Sequence, residues 1–263
     1  MQVTTQVPKI SVVIPTRNEA KNLYHTLPKI PAMVSEVVLV DGHSTDDTIA
    51  VARELYPSIR ILEQTGKGKG DAMRMGFAAC TGDIIVMLDA DGSAHPAEID
   101  RFVEVLLAGY DFAKGSRFVK GGGSDDLTLL RTLGNYALCT VVNILFGQRY
   151  SDLCYGYNAF WRQCLDYVDL DCTGFEIETQ VCLRMYKANM KIVEVPSMEH
   201  ARIHGQSNLH TFRDGWRVLK TIFRERLVRG VKLKPETRTF QSSQEALASV
   251  APKTPVAPRE VGL

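Results

Sequence analysis

The six cysteines, Cys80, Cys139, Cys154, Cys164, Cys172 and Cys182, are scattered and never form a C-x-x-C pair. So few thiols in 263 residues argue against a disulfide framework, and a reduced, cytosolic compartment is expected. Charge of one sign is not in excess either. Basic side chains number 31 and acidic ones 30, so the net charge of +1 leaves no bulk field for nucleic acid, and no nucleic-acid partner is expected. Long hydrophobic runs are missing: the longest, near Ala137–Phe146, falls short of the ~20 residues that span a bilayer. The first eight residues have neither a basic start nor an apolar core, so no signal peptide is expected. No internal repeat is apparent.

Apolar residues make up 45% of the chain, enough to bury one sizeable core or two small ones. Ile10–Ile14, Glu36–Asp41, Ile59–Leu62, Asp83–Leu88 and Asp111–Ser116 read as strands, with helices over Ala20–Leu27, toward Leu55, through Cys80 and over Ala97–Leu107. Asn18 is a candidate cap for the first helix. This alternation predicts an α/β fold with a mostly parallel sheet flanked by helices. Farther on, Gly121–Asp126 reads as a flexible loop, Leu127–Phe146 as a helix and Tyr155–Trp161 as a strand. Gly174–Ala188 reads as a helix, Lys191–Val195 as a last strand, His200–His210 as a polar loop and Thr211–Gly230 as a basic amphipathic helix. After Pro235 the composition turns to Ser, Gln, Ala, Lys and Pro, which predicts a disordered tail over 236–263.

The stretch that organises the chain is Asp83-Ile-Ile-Val-Met-Leu-Asp-Ala-Asp91. Five apolar residues without alternation suit a strand buried on both faces. Side chains alternate along extended chain, so Asp89 and Asp91 share a side. Two readings are open on these residues alone. The pair holds a hard divalent cation against a substrate phosphate, or it is a solvated acidic turn ahead of the helix near Pro96. A second strand ends in Asp41, which can accept hydrogen bonds from a ribose or a base. Between them lies Gly66-Lys-Gly-Lys-Gly70, whose glycines would let backbone approach a ligand and whose Lys67 and Lys69 would neutralise phosphate, unless it is an ordinary exposed turn. It fits neither the P-loop spacing nor the dinucleotide fingerprint.

Taken in order, Pro15-Thr-x-Asn-Glu19, Val40-Asp41 with Ser44-Thr45-Asp46, Gly68-x-Gly70, Asp89-Ala-Asp91-Gly-Ser and Gly115-Ser-Arg117 resemble family 2 glycosyltransferases of the GT-A fold. The second half is similar to polyprenyl-phosphate sugar transferases of the dolichyl-phosphate mannosyltransferase kind, through Arg131, Asp152-x-x-x-Gly156, Gly174-Phe-Glu-Ile-Glu178, and Arg202 with Gly205-Gln-Ser207. The resemblance implies a GT-A type, Rossmann-like sheet with a smaller acceptor-side region. It implies one domain over 1–235, divided into a nucleotide-binding half, 8–117, and an acceptor half, 118–234. Pro15, Arg17, Glu19, Asp41, Lys67, Gly70, Asp89, Ala90 and Asp91 would line the nucleotide-sugar site. Asp89 and Asp91 would hold Mg²⁺ or Mn²⁺, with Glu176 as a further catalytic acid. Arg117, Arg131 and Arg202 would face phosphates of donor or acceptor. Asp41-Gly42 stands where many relatives carry two successive acids, and Ser93 where the mannosyltransferases often carry Gln.

The activity implied is inverting transfer of a hexose from a GDP- or UDP-linked sugar to a polyprenyl (dolichyl or undecaprenyl) phosphate. The alternatives are transfer to a soluble or lipid hydroxyl, where Glu176 or Asp152 would be the base, and a non-catalytic nucleotide-sugar-binding module. A polyprenyl acceptor implies peripheral contact with the cytoplasmic face of a membrane. Phe212, Trp216, Leu219, Phe223 and Leu227 recur on one helical face, and eight basic residues face two acids between Arg213 and Lys234. The same stripe could instead pack on the sheet.

Overall fold

The computed structural model describes residues 7–228, 231–233 and 259–260. The apolar runs become strands of one sheet, most of them too apolar to face water on either side. They are β1 (Ile10–Thr16), β2 (Glu36–Asp41), β3 (Arg60–Glu63), β4 (Ile84–Met87) and β5 (Phe112–Ser116). Helices α1 (Ala20–Thr26), α2 (Thr48–Leu55), α3 (Lys69–Ala79) and α4 (Ile99–Leu107) connect them. The second half adds β6 (Gly123–Ser124), α5 (Leu129–Phe146), β7 (Asn158–Trp161), α6 (Ile177–Lys187), β8 (Ile192–Pro196), β9 (Met198–Glu199), α7 (Thr211–Leu227) and β10 (Arg259–Glu260).

Eight strands form one sheet in the order β10-β8-β5-β7-β4-β1-β2-β3. The neighbours from β3 to β4 are parallel, as are β5 and β8, while β7 runs antiparallel between β4 and β5, and β10 is antiparallel to β8. The expectation of a mostly parallel α/β sheet flanked by helices is borne out. The centre is closed: Val12, Val13, Val38–Val40 and Ile84–Val86 are fully buried. Parallel order places the carboxyl ends of β1, β2, β4 and β5 on one edge, where ligands of open α/β sheets bind.

Local expectations shift in three places. Asn18 does not cap α1; it sits at φ 58° and its Oδ1 accepts the Thr45 amide at 2.7 Å, tying two strand-end loops together. Gly121–Asp126 is not simply loose, because Gly123–Ser124 pairs in parallel with Met198–Glu199, and Glu199 accepts from both Arg117 and Ser124. Helix α5 starts at Leu129, two residues after the expected Leu127, and only 17% of its 18 residues are buried. By length and composition alone the whole helix reaches the lower end of what crosses a bilayer, while the Ala137–Phe146 run within it stays too short by itself. Its inner face is held to the domain by Asn135, which accepts the Leu153 amide and donates to the Ser151 carbonyl. The tail over 236–263 lies outside the described residues, apart from Arg259–Glu260.

Candidate active site

A cleft of about 720 Å³ opens at the carboxyl edge of the sheet. Pro15, Arg17 and Glu19 enter it from the end of β1, Asp89 to Asp91 from the end of β4, and Lys67 from the loop before α3. Arg117, Arg131 and Arg202 also line it. Two expected residues stand back. Asp41 is buried behind Gly42 and His43; its Oδ2 accepts the Ser44 amide at 3.0 Å, and its Oδ1 is buried without a hydrogen-bond partner. That orphan acceptor fits a donor group from a nucleoside. Gly70 faces protein, not ligand. A Cβ there would stand 2.5 Å from the Cys172 carbonyl oxygen, and one on Gly68, at φ 91°, 2.3 Å from that of Thr173. These glycines therefore let the loop pack on the segment before α6, a role the sequence reading gave to ligand approach.

Two cation–carboxylate knots face the cleft. Lys69 Nζ lies 2.7 Å from Asp89 Oδ1 and 2.6 Å from Glu178 Oε1. Burial alone would lower the Lys69 pKa, but the two carboxylates outweigh it and raise the value. Burial raises Glu178, partly offset by Lys69. In the second knot Arg202 donates to Glu19 and, at 3.2 Å, to Asp91. Burial likewise raises Glu19, against hydrogen bonds from Asn22 and Arg202. Arg202 thus meets carboxylates directly in the chain as it stands, where the resemblance has it facing a phosphate.

Beneath these, Arg117 is nearly closed off. Its Nε and Nη2 grip the two oxygens of Asp152 at 2.7 and 2.9 Å, and Nη1 reaches Glu199 at 3.0 Å. Asp152 is fully buried; although burial opposes ionisation, Arg117 holds its pKa below the usual carboxylate range. It is therefore a positioning carboxylate and not the free base considered for an alcohol acceptor. Glu194 of β8 accepts the Ser151 amide and hydroxyl, both at 2.8 Å, and so fixes the turn that presents Asp152. Arg131, on the first turns of α5, keeps an open cleft position with only a 3.2 Å pair to Asp126.

Glu176 is also turned away. It sits just before α6, pairs with Arg217 of α7 at 2.9 Å and does not line the cleft. Glu178 does. Two residues on a helix differ by about 200° in direction, so only one of the pair faces in. The reason it is Glu178 is packing: α6 is pinned between α3 and α7. The sequence signal was the i, i+2 acid pair; its phase was not legible.

Asp89 and Asp91 offer hard oxygen donors partly open to the cleft. Among the described residues no group of three or more His, Cys, Asp or Glu side chains converges on one point. A pair of carboxylates that leaves the remaining positions to substrate oxygens is the usual protein contribution to Mg²⁺ beside a diphosphate, and the residues present fit it.

Residues 11–166 match Glycosyl transferase family 2. Over 217 residues, covering 76% of this chain, the chain is 33% identical to "Dolichol-phosphate mannosyltransferase" of Pyrococcus furiosus, but it spans only 59% of that protein's length. It is 32% identical to "Polyprenol monophosphomannose synthase" of Mycolicibacterium smegmatis, over 70% of this chain and 75% of that one. It is 31% identical to "Undecaprenyl-phosphate mannosyltransferase" of Micrococcus luteus, over 76% and 87%. Glucosyl-3-phosphoglycerate synthase of Mycobacterium tuberculosis, solved with phosphoglyceric acid, shares the fold at TM-score 0.69 and 22% identity, over 88% of this chain and 82% of that one. A structure of the same enzyme holding Mn²⁺, uridine diphosphate and glucosyl-3-phosphoglycerate superposes at TM-score 0.66 and 21% identity, with the same coverage. With the family match covering more than half of its length, this chain belongs to glycosyl transferase family 2.

Proposed function

We propose that the chain transfers a hexose, with inversion, from a GDP- or UDP-linked sugar to a polyprenyl phosphate at the cytoplasmic face of a membrane. The observation that carries this reading is the setting of Arg131. It lines the cleft on a helix whose neighbouring Leu129, Leu130, Leu133 and Tyr136 are exposed. A phosphate site beside an uncovered apolar surface is what an amphiphilic phosphate requires. The names of the three relatives, each a transferase to such a lipid, support the same acceptor class. All three relatives are named for mannose transfer, but Ser93 at the cleft keeps the proposal at hexose.

In this reading the donor diphosphate lies over Asp89 and Asp91, and the nucleoside reaches toward Pro15, Arg17 and the free Asp41 oxygen. A Mg²⁺ or Mn²⁺ ion on the two carboxylates supplies Lewis-acid stabilisation of the departing diphosphate when bound. Lys67 and Arg17 add positive charge on the nucleotide side. Arg131 orients the acceptor phosphate, which is largely dianionic at neutral pH because its second pKa is ~6. Such a nucleophile needs positioning more than a base. That suits a cleft in which Asp152 is gripped by Arg117 and Glu176 pairs with Arg217 away from the lining. A hydroxyl acceptor would need a carboxylate able to take a proton, which these two are not placed to do.

Helices α5 and α7 pack together and leave Phe212, Trp216 and Phe223 exposed next to the basic face of α7. That pair would form the contact with an anionic bilayer. The test is a panel of radiolabelled GDP- and UDP-sugars offered with polyprenyl phosphate in vesicles. Label in the lipid phase from one donor is expected; label only in water-soluble acceptors would overturn the reading.

A further inference from the structure

Each carboxylate expected to hold the metal is capped by a cation of the chain itself. Lys69 Nζ touches both oxygens of Asp89, at 2.7 and 2.9 Å, with its side chain only 12% exposed. Arg202 Nη1 caps Asp91 at 3.2 Å. Each cation also keeps a second acid that stands apart from the pair, Glu178 for Lys69 and Glu19 for Arg202. The backbone makes room for the first knot. A Cβ on Gly156 would stand 2.6 Å from Glu178 Oε1, 3.0 Å from Lys69 Nζ and 3.1 Å from Asp89 Oδ2. All three members of the knot thus abut Gly156, where a side chain would displace them.

A divalent ion and Lys69 compete for the same two oxygens, and their charges repel. We propose that Lys69 and Arg202 are internal counter-ions: they hold Asp89 and Asp91 in the empty enzyme and pass to the donor's diphosphate when it enters. Each cation is anchored by its second acid, so neither has to leave the cleft. Without a diphosphate, an arriving metal strips each cation of one partner and gives nothing back. With a diphosphate present, phosphate oxygens replace the lost carboxylate contacts. Metal and diphosphate then bind cooperatively, and the coupling resides in these two side chains. Because coupling is reciprocal, the metal tightens the diphosphate by the same factor. The inference rests on the reading of the cleft as a nucleoside diphosphate site.

The experiment is a Mn²⁺ titration of the whole chain, following the free ion by electron paramagnetic resonance, alone and with UDP or GDP. In the wild type, Mn²⁺ alone is expected to bind weakly and about tenfold tighter with the nucleotide, within the ~5–150-fold over which coupled sites act. Lys69→Met should bind Mn²⁺ alone about tenfold tighter than wild type and gain little from nucleotide. Lys67→Met is the control, since it removes the same charge from the cleft two residues earlier, in the exposed loop before α3, where Lys67 makes no ion pair among the described residues. It should leave the metal-alone affinity near that of wild type. Unchanged Mn²⁺ affinity in Lys69→Met, or an equal effect in Lys67→Met, overturns the proposal. Should Lys69→Met not fold, Arg202→Gln on the second carboxylate decides by the same criteria. If neither nucleotide binds the wild type, the donor reading falls, and the counter-ion claim is judged on the metal-alone titration.

Discussion

Arg184 of α6 donates Nε and Nη2 to a single oxygen of Glu225 on α7, at 3.0 and 2.8 Å. Gln180 adds a bond to the same oxygen at 3.0 Å, and Lys187 reaches the other oxygen at 3.2 Å. These contacts fix the inner face of α7, where Val218, Thr221, Ile222 and Glu225 are buried, while Phe212, Trp216 and Phe223 of its aromatic stripe stay exposed. The alternative in which the stripe packs on the sheet is not what is seen.

Stability in acid should report that clamp. Burial opposes ionisation of Glu225, but Arg184, Gln180 and Lys187 bring its pKa down to about 2 from 4.5. A folded pKa below the unfolded one contributes stability that is fully present above about pH 4.5 and is lost as pH falls through 2. At neutral pH the contribution is on the order of 3 kcal/mol. Urea unfolding of wild type and Glu225→Gln should therefore differ by a few kcal/mol at pH 7 and converge near pH 2. Parallel curves across that range would contradict the assignment.

Asp152→Asn should behave as a packing defect. It leaves the buried Arg117 with Glu199 as its remaining carboxylate partner, and breaking a buried pair costs ~3–5 kcal/mol. A lowered melting temperature is expected together with lost turnover. Loss of turnover with full stability would instead restore Asp152 as a base.

Asp91→Asn should keep the fold and lose turnover by about a thousandfold, as several kcal/mol of leaving-group stabilisation disappears. EDTA should have the same effect on the wild type, reversed by added Mn²⁺ or Mg²⁺. Undiminished label transfer in EDTA would remove the metal from the proposed mechanism.

Membrane contact can be separated from folding. Phe212 and Trp216 are 80% and 58% exposed, so Phe212→Glu and Trp216→Glu should shift stability by no more than ~0.5 kcal/mol. Flotation with anionic vesicles should drop in both, and high salt should release part of the wild type because its basic residues act through a screened field. Wild type that stays at the bottom at low salt would refute the contact.

Much of the sheet was readable because both-face burial leaves unbroken apolar runs, as at Ile84–Leu88. Asp89 and Asp91 were readable for a related reason: carboxylates that end such a run have no place in a core. What the sequence hid were long-range choices. Nothing local says that Tyr155–Trp161 inserts antiparallel between β4 and β5, or that Arg117 finds Asp152 35 positions away. The phase of Glu176 and Glu178 was likewise decided by what α6 packs on.

The insertion of β7 has a consequence for how such a chain diversifies. Strand β5 leaves the sheet at its carboxyl edge, and because β7 runs the other way the chain re-enters at that same edge, where the Gly115 amide donates to the Tyr157 carbonyl at 2.9 Å. The excursion from 118 to 156, which carries Arg131 and all of α5, therefore starts and finishes at hydrogen-bonded neighbours. Its length can grow or shrink at little closure cost, since doubling a loop adds only ~0.6 kcal/mol. The strand register beneath need not change at all. The segment is in that sense a bracketed insert, its two ends already held together by the sheet it leaves and rejoins.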